Sequence, residues 1–168
     1  MTPNEGQGTI QRTNLDRCTI IFERRLAARI ERVWAALTVP AEISSWLASS
    51  SVDLRVGGRI VHDFDPGQDA ARVSGTILAL EPPTLLEYEW RFSGETESIL
   101  RYDLVADGEG TLLTLTHRLL GVVQAAGYGA GWDAYLDALG AVLEGLEPAD
   151  WATGFAQRLP AYKAALGR

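Results

Sequence analysis

The chain has 168 residues, which is enough for one domain with a sizeable core and too few for two of ordinary size. Hydrophobic residues make up 46% of the chain, charged residues make up 22%, and the formal net charge is −7 with Lys163 as the single lysine. Nucleic acids and anionic membrane surfaces both attract clusters of basic side chains, so this composition argues against either partner.

The first segment, residues 1–14, is polar and is expected to be a flexible tail or a weak edge strand. It lacks the charged and apolar regions of a signal peptide, and no later run of apolar residues approaches the ~20 needed to span a bilayer. Cys18 is the only cysteine, which excludes an intrachain disulfide. We therefore expect a soluble cytoplasmic protein with no membrane insertion.

A strand followed by two short helices is predicted next. Residues 17–26 are rich in β-branched and apolar side chains, which is typical of a strand. Apolar residues then recur at helical spacing, and Pro40 closes the first helix and suits the first turn of the second. The apolar positions of these two helices are Ile30, Val33, Trp34 and Leu37, followed by Ile43, Trp46 and Leu47.

The middle of the chain reads as strands at about 52–64, 72–80, 85–92, 98–105 and 111–119. Gly57-Gly58 predicts a bulge or bend in the first of them, and Pro82-Pro83 separates the second from the third. If Gly108-Glu109 is a two-residue hairpin turn, the inward pairs are Leu104 with Leu113, Tyr102 with Leu115 and Leu100 with His117. Placing Trp90 opposite Leu100 then brings Glu89 to Arg101 on the outer face.

A long helix of about 18 residues follows, and it is long enough to cross a sheet of about six strands. Its apolar stripe consists of Trp132, Tyr135, Leu136, Leu139, Leu143 and Leu146. Gly140 lies on the same face, where a missing side chain would leave room for a ligand. Residues 147–168 predict a further helix, kinked or restarted near Pro160, that caps its own domain or seals a homodimer.

This order of elements resembles the helix-grip fold of START-like (SRPBCC) and birch-pollen-allergen-like domains. The stretches RVWAALTVPAEISSWL (32–47), DLRVGGRI (53–60) and GWDAYLDAL (131–139) resemble the family of homologues of the activator of the heat-shock-protein-90 ATPase. SGTILALEPPTLLEYEW (74–90) and TLLTLTHRLL (111–120) support that resemblance. It implies an α+β fold over residues 15–146, with a curved antiparallel sheet around the long helix and a cavity between them.

The candidate site is the inner, aromatic-rich face of this fold. Its tyrosines either place their hydroxyls inside the pocket, which suits a ligand with one polar end, or fill the core. The two histidines are core residues, general acids or bases, or donors to the ligand. The two small helices guard one end of the cavity in this fold, which makes their tryptophans further lining candidates. The predicted ligand-contacting residues are Trp34, Trp46, His62, Phe64, Tyr88, Trp90, Tyr102, His117, Trp132, Tyr135, Leu136 and Leu139.

Three functions are compatible with this predicted fold and candidate site. The first is binding of a small hydrophobic or lipid-type molecule, the second is a co-chaperone-like protein-interaction module, and the third is a cyclase or lyase-type enzyme that uses an inward His or Tyr. No catalytic residue is assigned. The two histidines and the cysteine lack metal-ligand spacing, and Gly127, Gly129 and Gly131 lack the preceding strand of a dinucleotide-binding loop, so we expect no metal and no other cofactor.

Overall fold

The computed structural model describes residues 6–167 and shows an α+β helix-grip fold. A curved antiparallel sheet of eight strands, in the order β1-β2-β8-β7-β6-β5-β4-β3, holds the longest helix against its inner face. The strands are β1 (Thr9–Arg12), β2 (Arg17–Leu26), β3 (Ser49–Val52), β4 (Arg59–Asp63), β5 (Arg72–Glu81), β6 (Leu85–Phe92), β7 (Ser98–Asp107) and β8 (Gly110–Gly121). The helices are α1 (Ile30–Thr38), α2 (Pro40–Ile43), α3 (Val122–Leu143) and α4 (Trp151–Leu166). Within residues 6–167, none of the helices combines the length and apolar character needed to cross a membrane.

The sheet has eight strands where the sequence predicted about six. Residues 9–12, within the segment expected to be a tail or weak edge strand, form the edge strand β1, and residues 1–5 lie outside the described part. Of the strand predicted at 52–64, residues 59–63 form β4 and residues 53–58 leave the sheet, while Val52 is the last residue of the preceding strand β3. Both additional strands have only four residues, too short for a clear alternation of apolar and polar side chains.

The β7–β8 hairpin has the predicted register, with Leu104 opposite Leu113 and Leu100 opposite His117. Asp107 pairs with Gly110, so the turn is the two residues Gly108-Glu109. Gly108 has a φ of 59°, which is the left-handed conformation that such a turn requires.

The predicted β6–β7 register is wrong by two residues. Leu100 lies opposite Tyr88 rather than Trp90, and Arg101 lies opposite Glu87 rather than Glu89. A shift of two preserves the face of every side chain, so Trp90 still points inward. Its cross-strand neighbour is Ser98.

α3 starts ten residues before the predicted apolar stripe begins and has 22 residues. In its glycine-containing first half, a neighbouring side chain occupies the space that Gly129 leaves. A Cβ at Gly129 would lie 2.5 Å from Cδ1 of Tyr162, so this glycine lets the α4 ring sit directly on the α3 backbone. This contact with Tyr162 stabilises the helix and offsets the low helix propensity of its glycines.

A buried polar cluster, formed by Asp133, Arg24, Arg158 and Tyr162, attaches α4 to α3 and to the edge of the sheet. Asp133 accepts from Arg24 Nη2 at 2.8 Å and from Arg158 Nε at 3.1 Å, and it also accepts from the Tyr162 hydroxyl. The Tyr162 oxygen in turn accepts from the Gly8 amide at 2.9 Å. α4 is helical on both sides of Pro160, and these contacts hold it against α3 and the first strands of the sheet.

Candidate functional site

An aromatic cavity of about 320 Å³ lies between the inner face of the sheet, the first half of α3 and the first turns of α4. The sheet side contributes Phe64, Val73, Trp90 and Phe92, with Leu47 beside them. The helix side contributes Val123, Gln124, Gly127, Tyr128, Gly131, Trp132 and Tyr135 from α3, and Trp151 and Phe155 from α4. Glu95, in the connection between β6 and β7, completes the lining.

One wall of the cavity is a stack of three aromatic rings. The Tyr135 and Trp151 ring centroids are 5.0 Å apart with an interplanar angle of 27°, and those of Trp151 and Phe155 are 5.0 Å apart with an angle of 25°. The Trp151 indole N–H donates to the Gly131 carbonyl at 3.3 Å, which anchors the middle ring on α3. Trp151 is 37% exposed, so the stack extends from the cavity to its mouth.

A short relay of hydrogen bonds crosses the cavity wall. Trp90 Nε1 donates to the Tyr128 hydroxyl at 2.9 Å, and the Tyr128 hydroxyl donates to Glu95 Oε2 at 2.5 Å. An indole nitrogen can only donate, so the direction of the relay is fixed and Tyr128 holds the Glu95 side chain in place. Burial and the neighbouring Glu95 raise the pKa of Tyr128, and burial raises the pKa of Tyr135 to about 12. Both phenols are therefore neutral at physiological pH.

His117 lies directly behind the cavity wall. Trp132 Nε1 donates to His117 Nδ1 at 3.0 Å, which requires that Nδ1 carry no proton. The proton of the neutral ring is then on Nε2, 2.8 Å from Ser98 Oγ. Burial lowers the pKa of His117 to about 3, in agreement with this neutral form. His117 thus positions Trp132, which lines the cavity.

His62 has a similar buried setting on β4. Its Nδ1 is 2.7 Å from Ser50 Oγ and its Nε2 is 2.8 Å from the Tyr88 hydroxyl, which is itself hydrogen-bonded to Tyr102. Burial lowers the pKa of His62 to about 4, so this ring is also neutral at physiological pH. Both ring nitrogens of each histidine therefore have protein partners.

Four of the predicted ligand-contacting residues line the cavity: Phe64, Trp90, Trp132 and Tyr135. The others lie outside its lining, namely Trp34, Trp46, His62, Tyr88, Tyr102, His117, Leu136 and Leu139. Most of this second group fills the core, and the Trp46 indole donates to the Ala36 carbonyl at 2.8 Å. Gly140 is also outside the lining, whereas Gly127 and Gly131 of the same helix are within it.

Sequence reasoning missed Tyr128, Glu95 and the position of the α4 aromatics. The spacing of Trp151 and Phe155 placed them on one helical face but did not show what that face contacts. Glu95 and Tyr128 are 33 residues apart, and only the folded chain brings them together. Among residues 6–167, no group of three or more His, Cys, Asp and Glu side chains has the arrangement of a metal site.

The comparisons with known proteins identify relatives of the whole fold. CalU16 from Micromonospora echinospora is 30% identical, with 97% of this chain and 99% of that chain covered and a TM-score of 0.81. A protein from Bordetella parapertussis is 28% identical over 97% of this chain and 94% of that chain, with a TM-score of 0.71. DynU16, a putative protein in the dynemicin biosynthetic locus, is 25% identical over 77% of this chain and 48% of that chain, with a TM-score of 0.68.

No curated protein matches the chain significantly. The family model described as Activator of Hsp90 ATPase homolog 1-like protein matches residues 27–144, which run from the start of α1 to the end of α3. This match confirms the family resemblance that the sequence motifs indicated. The chain therefore belongs to the Activator of Hsp90 ATPase homolog 1-like protein family.

Proposed function

We propose that this protein binds a small hydrophobic molecule in the cavity between α3 and the sheet. The observation that carries the proposal is the aromatic lining of a cavity of about 320 Å³, a volume in the range typical of small-molecule sites. Apolar walls with a few fixed polar groups are the usual composition of such sites. The similarity to DynU16, from a biosynthetic locus, is consistent with a small-molecule ligand.

The geometry favours binding over catalysis at the two histidines. Neither His62 nor His117 is among the lining residues, and the ring nitrogens of both are hydrogen-bonded within the protein. A general acid or base must reach the proton that it transfers, directly or through one water. We therefore assign these side chains a structural role, and the proposed function includes no reaction.

Filling the cavity from α3 is expected to block binding. Gly127 lines the cavity and a Cβ built there meets nothing within 4 Å, so the side chain of a Gly127→Leu variant would extend into the ligand space. We expect the affinity for the neutral fluorescent probe N-phenyl-1-naphthylamine to fall by about tenfold or more, measured by probe fluorescence. Leucine also has the higher helix propensity, so the fold should be retained.

The matched control is Gly140→Leu. Gly140 is on the same helix and equally open, with nothing within 4 Å of a Cβ, but it does not line the cavity. Its affinity for the probe should equal that of the wild type. Equal probe affinity in all three proteins, or no binding to any of them, would contradict the proposed site.

Native mass spectrometry of the freshly purified protein, followed by denaturing extraction, would identify a molecule that co-purifies. An apolar molecule that is present in the wild type and depleted in Gly127→Leu would support the proposal. A molecule retained equally by both proteins would locate its binding outside this cavity.

A further inference from the structure

The only charged side chain among the described residues that line the cavity is negative. Within the described part of the chain, the cavity lining includes one carboxylate, from Glu95, and no Lys, Arg or His side chain. Arg91, the nearest arginine along the strand, alternates with the inward Trp90 onto the opposite face of the sheet. There it pairs with Glu89 and lies 3.2 Å from Glu97.

The Glu95 carboxylate is positioned rather than free to move as a surface side chain. It is half-buried, and one of its oxygens accepts from Tyr128 at 2.5 Å. The Tyr128 hydroxyl has used its single proton in this bond and accepts from Trp90. The chain of hydrogen bonds therefore ends at Glu95. We expect a donor group on a ligand to bind the Glu95 carboxylate rather than the Tyr128 hydroxyl.

The aromatic wall adds a preference for aromatic ligands. The neighbouring faces of Tyr135, Trp151 and Phe155 are stacked on one another, so the wall offers a ligand aromatic carbon for packing, and the preference for charge rests on Glu95. An anionic ligand, for example a fatty-acid carboxylate, would meet the Glu95 carboxylate without any lining cation to neutralise it.

From this geometry, and resting on the proposed function, we infer that the cavity is selective for a planar aromatic ligand that carries a protonated amine. The rings of the ligand pack against the Tyr135–Trp151–Phe155 stack, and its N–H groups donate to Glu95. Lipid carboxylates and other organic anions are excluded by charge.

The test uses three tricyclic probes of similar size that differ in charge at pH 7.5. 9-Aminoacridine is a cation, acridine is neutral and 9-anthracenecarboxylate is an anion. Dissociation constants from quenching of tryptophan fluorescence are expected to rise in that order, with the cation binding about fivefold or more tightly than acridine, as a charge-assisted hydrogen bond provides.

Glu95→Gln should bring the affinity for 9-aminoacridine to within about twofold of that for acridine, because the amide keeps the shape and removes the charge. The control is Glu97→Gln, since the Glu97 side chain is 73% exposed and lies outside the cavity lining. This control should keep the wild-type order of affinities.

The outcomes separate the two proposals. If acridine binds but the cation gains nothing, or if the anion binds as tightly as the cation, the charge selectivity is overturned while the binding function stands. An unchanged preference in Glu95→Gln also overturns the role of Glu95. If none of the three probes nor N-phenyl-1-naphthylamine binds, both proposals fail.

Discussion

Replacement of Asp133 by alanine is expected to lower the free energy of unfolding by about 3 kcal/mol, because it removes the shared acceptor of a buried ionic cluster. Asp133 is only 8% exposed and accepts from Arg24, Arg158 and Tyr162. Without it, the buried Tyr162 hydroxyl loses its acceptor and the two guanidinium groups lose their inner counter-charge. The loss should appear as a lower urea midpoint in unfolding followed by circular dichroism.

Asp137→Ala is the matched control. Asp137 contacts the same two arginines, Arg24 and Arg158, but its side chain is 48% exposed, so solvent screens its ion pairs. We expect this variant to lose about 1 kcal/mol or less. Equal losses in the two variants would show that the cluster is no stronger than a surface ion pair.

The Asp133 variant should also bind N-phenyl-1-naphthylamine less tightly under conditions where it remains folded. The cluster attaches α4 to α3, and α4 carries the cavity-lining Trp151 and Phe155. Full retention of probe affinity would mean that these two rings keep their place without the cluster.

Mild acid is expected to destabilise the protein through its two buried histidines. Burial lowers the pKa of His62 from 6.5 to about 4 and that of His117 from 6.5 to about 3. In this interval the unfolded chain binds the protons and the folded chain does not, so stability is constant above pH 6.5 and falls as the pH is lowered. Below pH 6.5 each histidine lowers the free energy of unfolding by about 1.4 kcal/mol per pH unit, so the two histidines together lower it by about 3 kcal/mol between pH 7.5 and 5.5.

Urea unfolding at pH 7.5 and 5.5 measures this loss in a range where carboxyl groups titrate little. His117→Gln, although less stable overall, should lose only about half as much between the two pH values, since one proton-binding site has been removed. A pH dependence identical to that of the wild type would mean that burial does not lower the pKa of His117 in the folded state.

The sequence predicted the elements whose own residues determine their geometry. The Gly108-Glu109 turn sets the β7–β8 register, because a two-residue loop allows one pairing. Residues 93–97 between β6 and β7 offer no such signal, and the register assigned there is wrong by two. Alternation still placed Tyr88 and Trp90 on the correct face, because the side-chain period of a strand is two.

The features that the sequence did not predict depend on contacts between distant segments. The first half of α3 contains Gly127, Gly129 and Gly131. Because glycine has a low helix propensity, the sequence pattern did not predict a helix over these residues. The tertiary structure explains why glycines occupy these positions. The Tyr162 ring packs directly against Gly129, and Gly127 and Gly131 line the cavity. Likewise, nothing in the local sequence connects Glu95 to Tyr128.

The family model matches residues 27–144 and α4 begins at Trp151, so the cavity wall combines the matched segment with a helix that lies beyond it. The matched segment supplies β3 to β8 and α3, and α4 supplies the rings at the mouth. Substitutions at Trp151 and Phe155 can therefore reshape the entrance while Arg158 and Tyr162 keep their contacts with Asp133. The two ends of α4 thus have separate roles: Trp151 and Phe155 at its start shape the mouth of the cavity, and Arg158 and Tyr162 further along hold the helix on the domain.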